Sequence, residues 1–239
     1  MAIKSTPETL LTTTEAARTL GVSRQRVMEL ACNGTLTIIH SGSTCYFTRS
    51  TVLGYKRTRR APGRPYSERI AFAALYMISG MDALWLSASE KSRLRRRLLS
   101  LDATGLLDHC RNRARTIDYW CRDSRIDTLT SLIRISSATG GLAKAFDLTE
   151  TSRIEGYITA DKLTDAVKLA RLREGFHPHN IRLHVASFMP PGVGPMPLGV
   201  CTADLAESTD EREHAAGLRR TGLLLDRFKQ RSRGQSNIR

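Results

Sequence analysis

Apolar and polar positions near the start of the chain predict two short helices joined by a tight turn. Thr12 and Glu15 fit a capping box, in which each side chain bonds the other residue's backbone amide. Gly21 can take the left-handed conformation that ends the first helix, and Ser23 caps the second. The two apolar stripes consist of Ala16, Ala17, Leu20, Val27, Leu30 and Ala31. Two such helices with a small residue in the turn form a helix-turn-helix.

The pattern then changes to β-branched and aromatic residues. Residues 35–39 and 44–47 predict two strands, and the His-Ser-Gly-Ser sequence between them predicts a hairpin turn. In a winged helix this hairpin would be the wing. We expect Ser50 to cap a third helix, whose end carries the cations Lys56, Arg57, Arg59 and Arg60.

Residues 67–115 have a helical pattern. Apolar residues occupy most of the circumference of a helix over residues 67–80, which predicts a buried core helix capped at Ser67. Ser87 and Glu90 form a second capping box and begin a helix with two distinct faces. Its apolar Leu94, Leu98 and Leu101 lie opposite Arg93, Arg96 and Arg97. That basic face is either a second DNA-contacting surface or a solvated helix face.

Residues 116–239 mix strand and helix patterns. Strands are predicted at 115–121, 153–158 and 180–188, and helices at 126–136, 159–172 and 208–228. Residues 197–208 (PLGVCTADLAES) predict a short buried strand that leaves Asp204 at its end. The fold class is therefore α+β: a winged helix-turn-helix over 1–60, a basic Pro/Gly linker over 61–66, a helical segment over 67–115, and a mixed α/β domain with a small sheet over 116–239, either separate or joined to 67–115.

Charge adds a partner to this picture. The chain carries 37 Lys and Arg against 23 Asp and Glu, a net charge of +14. Residues 1–65 hold 10 basic and 3 acidic residues, so half of the surplus (+7) lies in the first quarter of the chain. A GC-rich genome favours arginine codons and would raise the positive charge along the whole chain. The concentration in the first quarter indicates instead a nucleic-acid partner for the N-terminal module.

The cysteines and the apolar runs bear on the compartment. Five cysteines are scattered without a CxxC pair, which favours reduced thiols over a disulfide framework or a zinc site. Residues 1–11 lack the apolar run of a signal peptide, and no stretch approaches the roughly 18 apolar residues of a membrane span. We expect a cytoplasmic protein that contacts no membrane.

The first turn of the second helix contains the candidate DNA readers. A recognition helix points this turn at base edges, where Arg24 and Arg26 suit guanine and Gln25 suits adenine. The helix N-terminus at Ser23 favours a phosphate. Glu29, one turn further, either accepts from cytosine or orients an arginine.

The sequence TTTEAARTLGVSRQRVMELACNGTL, followed by a short hairpin and a basic helix, resembles the winged helix of the excisionase and MerR-type DNA-binding families. The resemblance covers about a quarter of the chain. It implies that the second helix enters the major groove of double-stranded DNA and that the wing contacts backbone or minor groove. The residues it implies as DNA-binding are Ser23, Arg24, Gln25, Arg26 and, at the wing tip, Ser41, Gly42 and Ser43.

The linker region KRTRRAPGRPYS (56–67) contains five cations and should end the first domain. Gly63-Arg64-Pro65 resembles the core of an AT-hook, in which an extended arginine enters an A·T minor groove. The alternative is a plain solvated linker. In either case we expect phosphate contacts, which add affinity without sequence information. The residues concerned are Lys56, Arg57, Arg59, Arg60 and Arg64.

Catalytic and metal-binding patterns are weak. Asp204 and Glu207 at a predicted strand end resemble nuclease carboxylates, but no D…(E/D)-x-K pattern accompanies them. His177, His179 and His184 form HPH-x4-H, yet Pro178 and the passage from loop into strand disfavour a shared metal geometry. We find no Walker loop and no GxGxxG. We therefore predict no catalytic residue, no metal, no cofactor and no enzymatic activity.

The order of elements over residues 70–230 is similar to actinobacterial AbiEi-family antitoxins, notably PLGVCTADLAES followed by DEREHAAGLRRTGLLLDRF. Those proteins pair a winged helix with an α/β domain and repress an operon that encodes a nucleotidyltransferase toxin. The resemblance implies an antitoxin-type autorepressor that binds operator DNA, with the nucleotidyltransferase toxin encoded nearby as a further partner. A homodimer is a separate expectation. The alternatives are an excisionase-like or architectural accessory protein of a mobile element, and an enzyme with a DNA-targeting domain.

Overall fold

A computed structural model describes residues 10–33, 36–42, 44–58, 64–149, 153–175 and 178–236. The chain divides into two compact units, Met1–Ala61 and Pro62–Arg239. The division falls within the basic Pro/Gly segment, and residues 67–115 and 116–239 belong to the same unit. Each unit contains its own hydrophobic core.

The first unit combines three helices and three strands among its described residues. In chain order they are β1 (Leu10–Thr12), α1 (Thr13–Leu20), α2 (Arg24–Cys32), β2 (Ile38–Ser41), β3 (Thr44–Thr48) and α3 (Arg49–Thr58). The strands form one antiparallel sheet in the order β1-β3-β2. Its core consists of Ala16, Ala17, Leu20, Val27, Leu30, Leu36, Phe47 and Val52.

The capping signals at α1 and α2 are confirmed. The Glu15 amide donates to the Thr12 hydroxyl at 3.3 Å, and the Thr12 amide donates to the Glu15 carboxylate at 2.8 Å. Gly21 ends α1 with a φ of 64°, in the left-handed region that favours glycine. The Arg26 amide donates to the Ser23 hydroxyl at 3.2 Å and fixes the first turn of α2.

Three local features of this unit differ from what the sequence predicts. The sequence analysis did not predict strand β1, whose three residues pair with β3. Strand β2, predicted over residues 35–39, begins at Ile38 and extends to Ser41. The hairpin turn is therefore shorter than predicted and consists of the two positions between Ser41 and Thr44. Helix α3 begins at Arg49, so Ser50 lies within it, and the Thr48 hydroxyl accepts from the Thr51 amide at 3.4 Å.

The second unit surrounds a five-stranded sheet with helices. Its helices are α4 (Glu68–Ile78), α5 (Ala88–Ser100), α6 (Ala103–Cys110), α7 (Ile126–Thr130), α8 (Ala160–Ala170), α9 (Leu198–Ala206) and α10 (Glu211–Ser236). Its strands are β4 (Arg115–Trp120), β5 (Arg134–Ile135), β6 (Ile154–Thr159), β7 (Arg173–Glu174) and β8 (Ile181–Ala186). The strand order is β5-β6-β8-β4-β7, with β6 and β8 parallel and the other pairs antiparallel.

The two faces of this sheet differ. On one face Ile117, Leu183 and Ile158 pack with α8 in an apolar cluster. On the other face Tyr157 packs against Phe72 of α4, and α9 covers the polar residues of β6 and β8. Apolar and polar residues alternate along β8, a pattern that is typical of a strand with one face in solvent. Here the polar face is not solvated, because Arg182 and His184 are covered and paired.

The predicted strand within residues 197–208 is wrong: Leu198–Ala206 forms the helix α9. Its residues from Gly199 to Ala206 are all buried, so apolar character surrounds the helix and hides the 3.6-residue period. A Cβ at Gly199 would overlap the Leu75 carbonyl of α4, and one at Gly217 would overlap the α9 backbone. These glycines let α4, α9 and α10 approach closely.

The predicted helix over 126–136 is only partly correct. Helix α7 ends at Thr130, and Arg134–Ile135 form the edge strand β5.

The capping box of α5 is confirmed, with the Glu90 amide donating to the Ser87 hydroxyl at 3.3 Å and the Ser87 amide to the Glu90 carboxylate at 2.8 Å. Among the described residues, no helix is both long and apolar enough to span a bilayer.

Candidate nucleic-acid interface

The first turn of α2 presents its polar side chains to solvent. Val27 and Leu30 bury the opposite side of the helix in the core of the first unit, so Arg24, Gln25 and Arg26 are all exposed. Within the described residues, the side chains of Arg24 and Gln25 make no hydrogen bond or ion pair. The turn therefore offers two unengaged hydrogen-bonding groups beside the partial positive charge of a helix N-terminus.

Arg26 is held differently from Arg24. Its Nη1 lies 2.8 Å from the Glu29 carboxylate, and both side chains are about half exposed, at 52% and 46%. The hydrogen bond to Glu29 raises the pKa of Arg26, so the guanidinium is charged at any physiological pH. Of the two roles foreseen for Glu29, the structure shows the orientation of an arginine. Arg26 would have to exchange this partner to contact a base.

The other predicted contact residues of the first unit are distributed as follows. Ser41 ends β2 and Gly42 is the first turn residue, with a φ of 61° that suits a two-residue hairpin. Lys56 and Arg57 lie in the last turns of α3. Ser43, Arg59 and Arg60 lie outside the described residues.

In the second unit, the basic helix α5 borders a groove of about 700 Å³, here called the α5 groove. Leu94 and Leu98 are buried, which turns Arg93, Arg96 and Arg97 outward along the groove. Glu90 also lines it, but its carboxylate is bonded at 2.8 and 2.9 Å to the backbone and hydroxyl of Ser87. The groove is thus a cationic surface.

The floor of the α5 groove is aromatic and apolar. Tyr66 stacks on His109 with ring centroids 4.8 Å apart, and the Arg97 guanidinium lies 6.0 Å from the Tyr66 centroid. Pro65 and Ile70 complete this side. The predicted linker residue Arg64 is exposed and directly precedes Pro65, while Gly63 of the AT-hook-like sequence lies outside the described residues.

Asp204 and Glu207 do not converge on a strand end, as a nuclease site would require. Asp204 lies inside α9 and is 3% exposed, and its carboxylate accepts from Arg113 Nη2 at 2.6 Å. Arg113 also bonds Glu207 at 2.6 Å and the Tyr157 hydroxyl at 2.8 Å. The guanidinium, 1% exposed, therefore joins α9 to β6.

The buried network extends to a histidine. His184 Nε2 lies 2.7 Å from Glu155 and 3.7 Å from Asp204. Burial lowers the pKa of His184, but Asp204 and Glu155 outweigh it and raise the pKa above the ordinary 6.5. Burial raises the pKa of Asp204, yet His184 and Arg113 hold it below its usual value. Arg113 and His184 thus face the two buried carboxyl groups of Asp204 and Glu155.

The three histidines of HPH-x4-H do not form a cluster among the described residues. The His179 imidazole lies 3.7 Å from the Asp118 carboxylate, whereas the His184 imidazole points at Glu155. His177 lies outside the described residues. Glu155, His184 and Asp204 do have ligand atoms within 4.8 Å of one another. A cation there would compete with the Arg113 guanidinium on the same Asp204 oxygen, so this donor set suits an internal ion-pair network better than a metal.

Arg113 was missed by sequence reasoning. It is separated from Asp204 by 91 positions, and no local pattern marks either residue as a partner. The available signal was indirect: an acid inside an apolar run, Asp204 between Ala203 and Leu205, requires a buried partner.

Residues 10–60 match the family model of a helix-turn-helix domain. No curated protein and no solved structure matches the chain. The chain therefore carries an N-terminal helix-turn-helix domain, and a domain of this kind indicates a DNA-binding regulator.

Proposed function

We propose that the protein is a sequence-specific repressor that binds its own promoter through α2, in the manner of an antitoxin-type autorepressor. The observation that carries the proposal is the exposed first turn of α2, where Arg24 and Gln25 project from a helix whose other side is fixed in a core. A rigid helix presents these groups at the position from which a recognition helix reads the major groove.

The hairpin of β2 and β3 supports a winged form of the motif, as in the excisionase and MerR-type families. Its turn contains Gly42 at positive φ and follows α2 closely in sequence. We propose that Ser41 to Ser43 approach the DNA backbone or the minor groove. Lys56, Arg57, Arg59, Arg60 and Arg64 would then neutralise phosphates along the same duplex.

The α5 groove extends the proposed contact to the second unit. Arg93, Arg96 and Arg97 have no carboxylate partner among the described residues, so their charge is available to phosphates. We propose that contacts of these arginines with DNA phosphates add affinity that is independent of sequence.

We further propose that the protein acts by binding and not by catalysis. The acids foreseen as a nuclease pair are engaged: Asp204 by Arg113, Tyr157 and Ser136, and Glu207 by Arg113. In the antitoxin form of the proposal, the second unit binds a nucleotidyltransferase toxin encoded nearby, and a homodimer binds two operator half-sites. Co-purification of the neighbouring gene product with this chain tests that part separately.

Hydroxyl-radical footprinting of full-length protein on the DNA upstream of its own gene tests the central proposal. We expect protection within that segment, together with a fall in reporter expression from it. Protection confined to several phased sites away from a promoter, with bending of the DNA, would favour the excisionase-like or architectural alternative. Binding that treats promoter and random DNA alike would contradict both.

A further inference from the structure

A second cluster of cations lies in the second unit, around a pocket of about 170 Å³ at the end of β4. Four arginines line it, and none of its described lining residues is acidic. Its lining residues are Trp120, Arg122, Ser124, Arg125, Ala170, Arg171 and Arg173. We call it the four-arginine pocket.

The topology of the sheet brings these side chains together. Trp120 and Arg173 are partners across the antiparallel pair β4–β7, so their side chains leave the sheet on the same face. The Arg173 guanidinium lies 5.6 Å from the Trp120 ring centroid. Stacking of this kind orients the guanidinium at the edge of the pocket.

Three of the four guanidiniums form no ion pair with the residues that the structure describes. Within the described part of the chain, the side chains of Arg122, Arg125 and Arg171 take part in no ion pair or hydrogen bond. Each of them nonetheless borders the same pocket. Converging cations repel one another, and an anion in the pocket would offset that repulsion.

Arg171 has an unusual backbone for its residue type. It ends α8 with φ 53° and ψ 47°, the left-handed conformation in which helices usually have glycine. An arginine is strained there, so its presence is explained better by its side chain than by the turn.

We propose that the four-arginine pocket binds a phosphoryl group. Its volume corresponds to about five or six water molecules, which suits a tetrahedral oxyanion and is smaller than the roughly 300 Å³ of a drug-sized ligand site. Arginine forks match phosphate oxygens in pairs. The group belongs either to the backbone of a nucleic acid or to a free phosphorylated small molecule, and the site does not depend on α2.

The test is calorimetric titration of inorganic phosphate into full-length protein at constant ionic strength. We expect saturable binding that Arg122→Ala and Arg171→Gly each weaken by about tenfold or more, as loss of a charge-assisted contact would. Arg171→Gly relieves the left-handed strain, so its melting temperature should be unchanged or higher, and weaker binding cannot then be attributed to unfolding. Arg95→Ala, an exposed arginine outside the pocket, should bind as the wild type does.

Competition separates the two sources of the phosphoryl group. Displacement of phosphate by duplex DNA, with sequence-independent loss of DNA affinity in the pocket variants, identifies a backbone phosphate. Displacement by a mononucleotide but not by duplex identifies a phosphorylated small molecule. Absence of phosphate binding, or equal binding by wild type and pocket variants, overturns the proposal. Arg24→Ala should bind phosphate normally, so failure of the promoter proposal would be visible independently.

Discussion

Arg24 and Arg113 place the same guanidinium in opposite settings. Arg24 is exposed on the first turn of α2 and has no partner among the described residues. Arg113 is 1% exposed and bonds Asp204, Glu207 and Tyr157. The first is free to bind an external anion, whereas the second is fully used inside the fold.

The comparison shows that an arginine in the sequence is not always available to a partner. Arg113 is one of the 37 Lys and Arg, but Asp204 and Glu207 compensate its charge within the fold. The arginines of α2, the α5 groove and the four-arginine pocket can instead meet a polyanion. Substitution of the exposed arginines therefore tests function, and substitution of the buried Arg113 tests the stability of the fold.

The largest expected effect is on stability. Replacing Arg113 with Met leaves Asp204 buried without its cation, and loss of one partner of a buried pair costs about 3–5 kcal/mol. Urea unfolding of the second unit measures this loss. Arg95→Ala, whose side chain is exposed, should stay within about 0.5 kcal/mol of the wild type. Similar midpoints for the two variants would show that the network is not structurally important.

The next effect is a pH dependence centred on His184. Its pKa is raised in the folded protein, so its contribution is fully present below about pH 6.5 and is lost as the pH rises through the folded-state pKa. One proton gives a slope of at most about 1.4 kcal/mol per pH unit. Denaturant unfolding between pH 6 and 9 should show this decline in the wild type and a flatter profile in His184→Gln. Identical slopes would count against a charged His184.

Local signals explain why much of the first unit was predictable. The caps Thr12 and Ser23 and the glycine at 21 act within one helical turn of their partners, so short sequence windows contain them. The exposed position of Arg24 follows from the same pattern.

The second unit depends on contacts that no window contains. The pattern of residues 197–208 predicts a strand and not helix α9, because α4, α10 and the sheet together bury the helix and such burial removes the period. Trp120 and Arg173 meet because β4 pairs with β7, a register that their own sequences do not specify. The Arg113–Asp204 pair is of the same kind.

A smaller effect concerns the α5 groove. Arg96→Ala removes one proposed phosphate contact, so the slope of log K against log salt should fall by about 0.9 with little change in sequence preference. Arg95→Ala on the same helix removes the same charge from outside the groove and should leave the slope unchanged. Equal changes in the two variants would indicate a general charge effect and no groove contact.

The smallest effect is expected at Glu29. Glu29→Gln removes the negative charge that holds Arg26 at 2.8 Å. Affinity for all duplexes should rise slightly, because Arg26 is released and repulsion of phosphates falls. Gel-shift titration against operator and random DNA measures both affinities. Loss of preference at a single cytosine would instead assign Glu29 a direct reading role.

The measurement that tests the central claim most directly is the ratio of affinities for promoter and random DNA in the wild type and in Arg24→Ala. Competition binding at fixed salt should show a loss of about 1–3 kcal/mol for promoter DNA and a much smaller change for random DNA. Arg95→Ala should preserve the wild-type ratio. If Arg24→Ala also preserves it, α2 does not read the sequence.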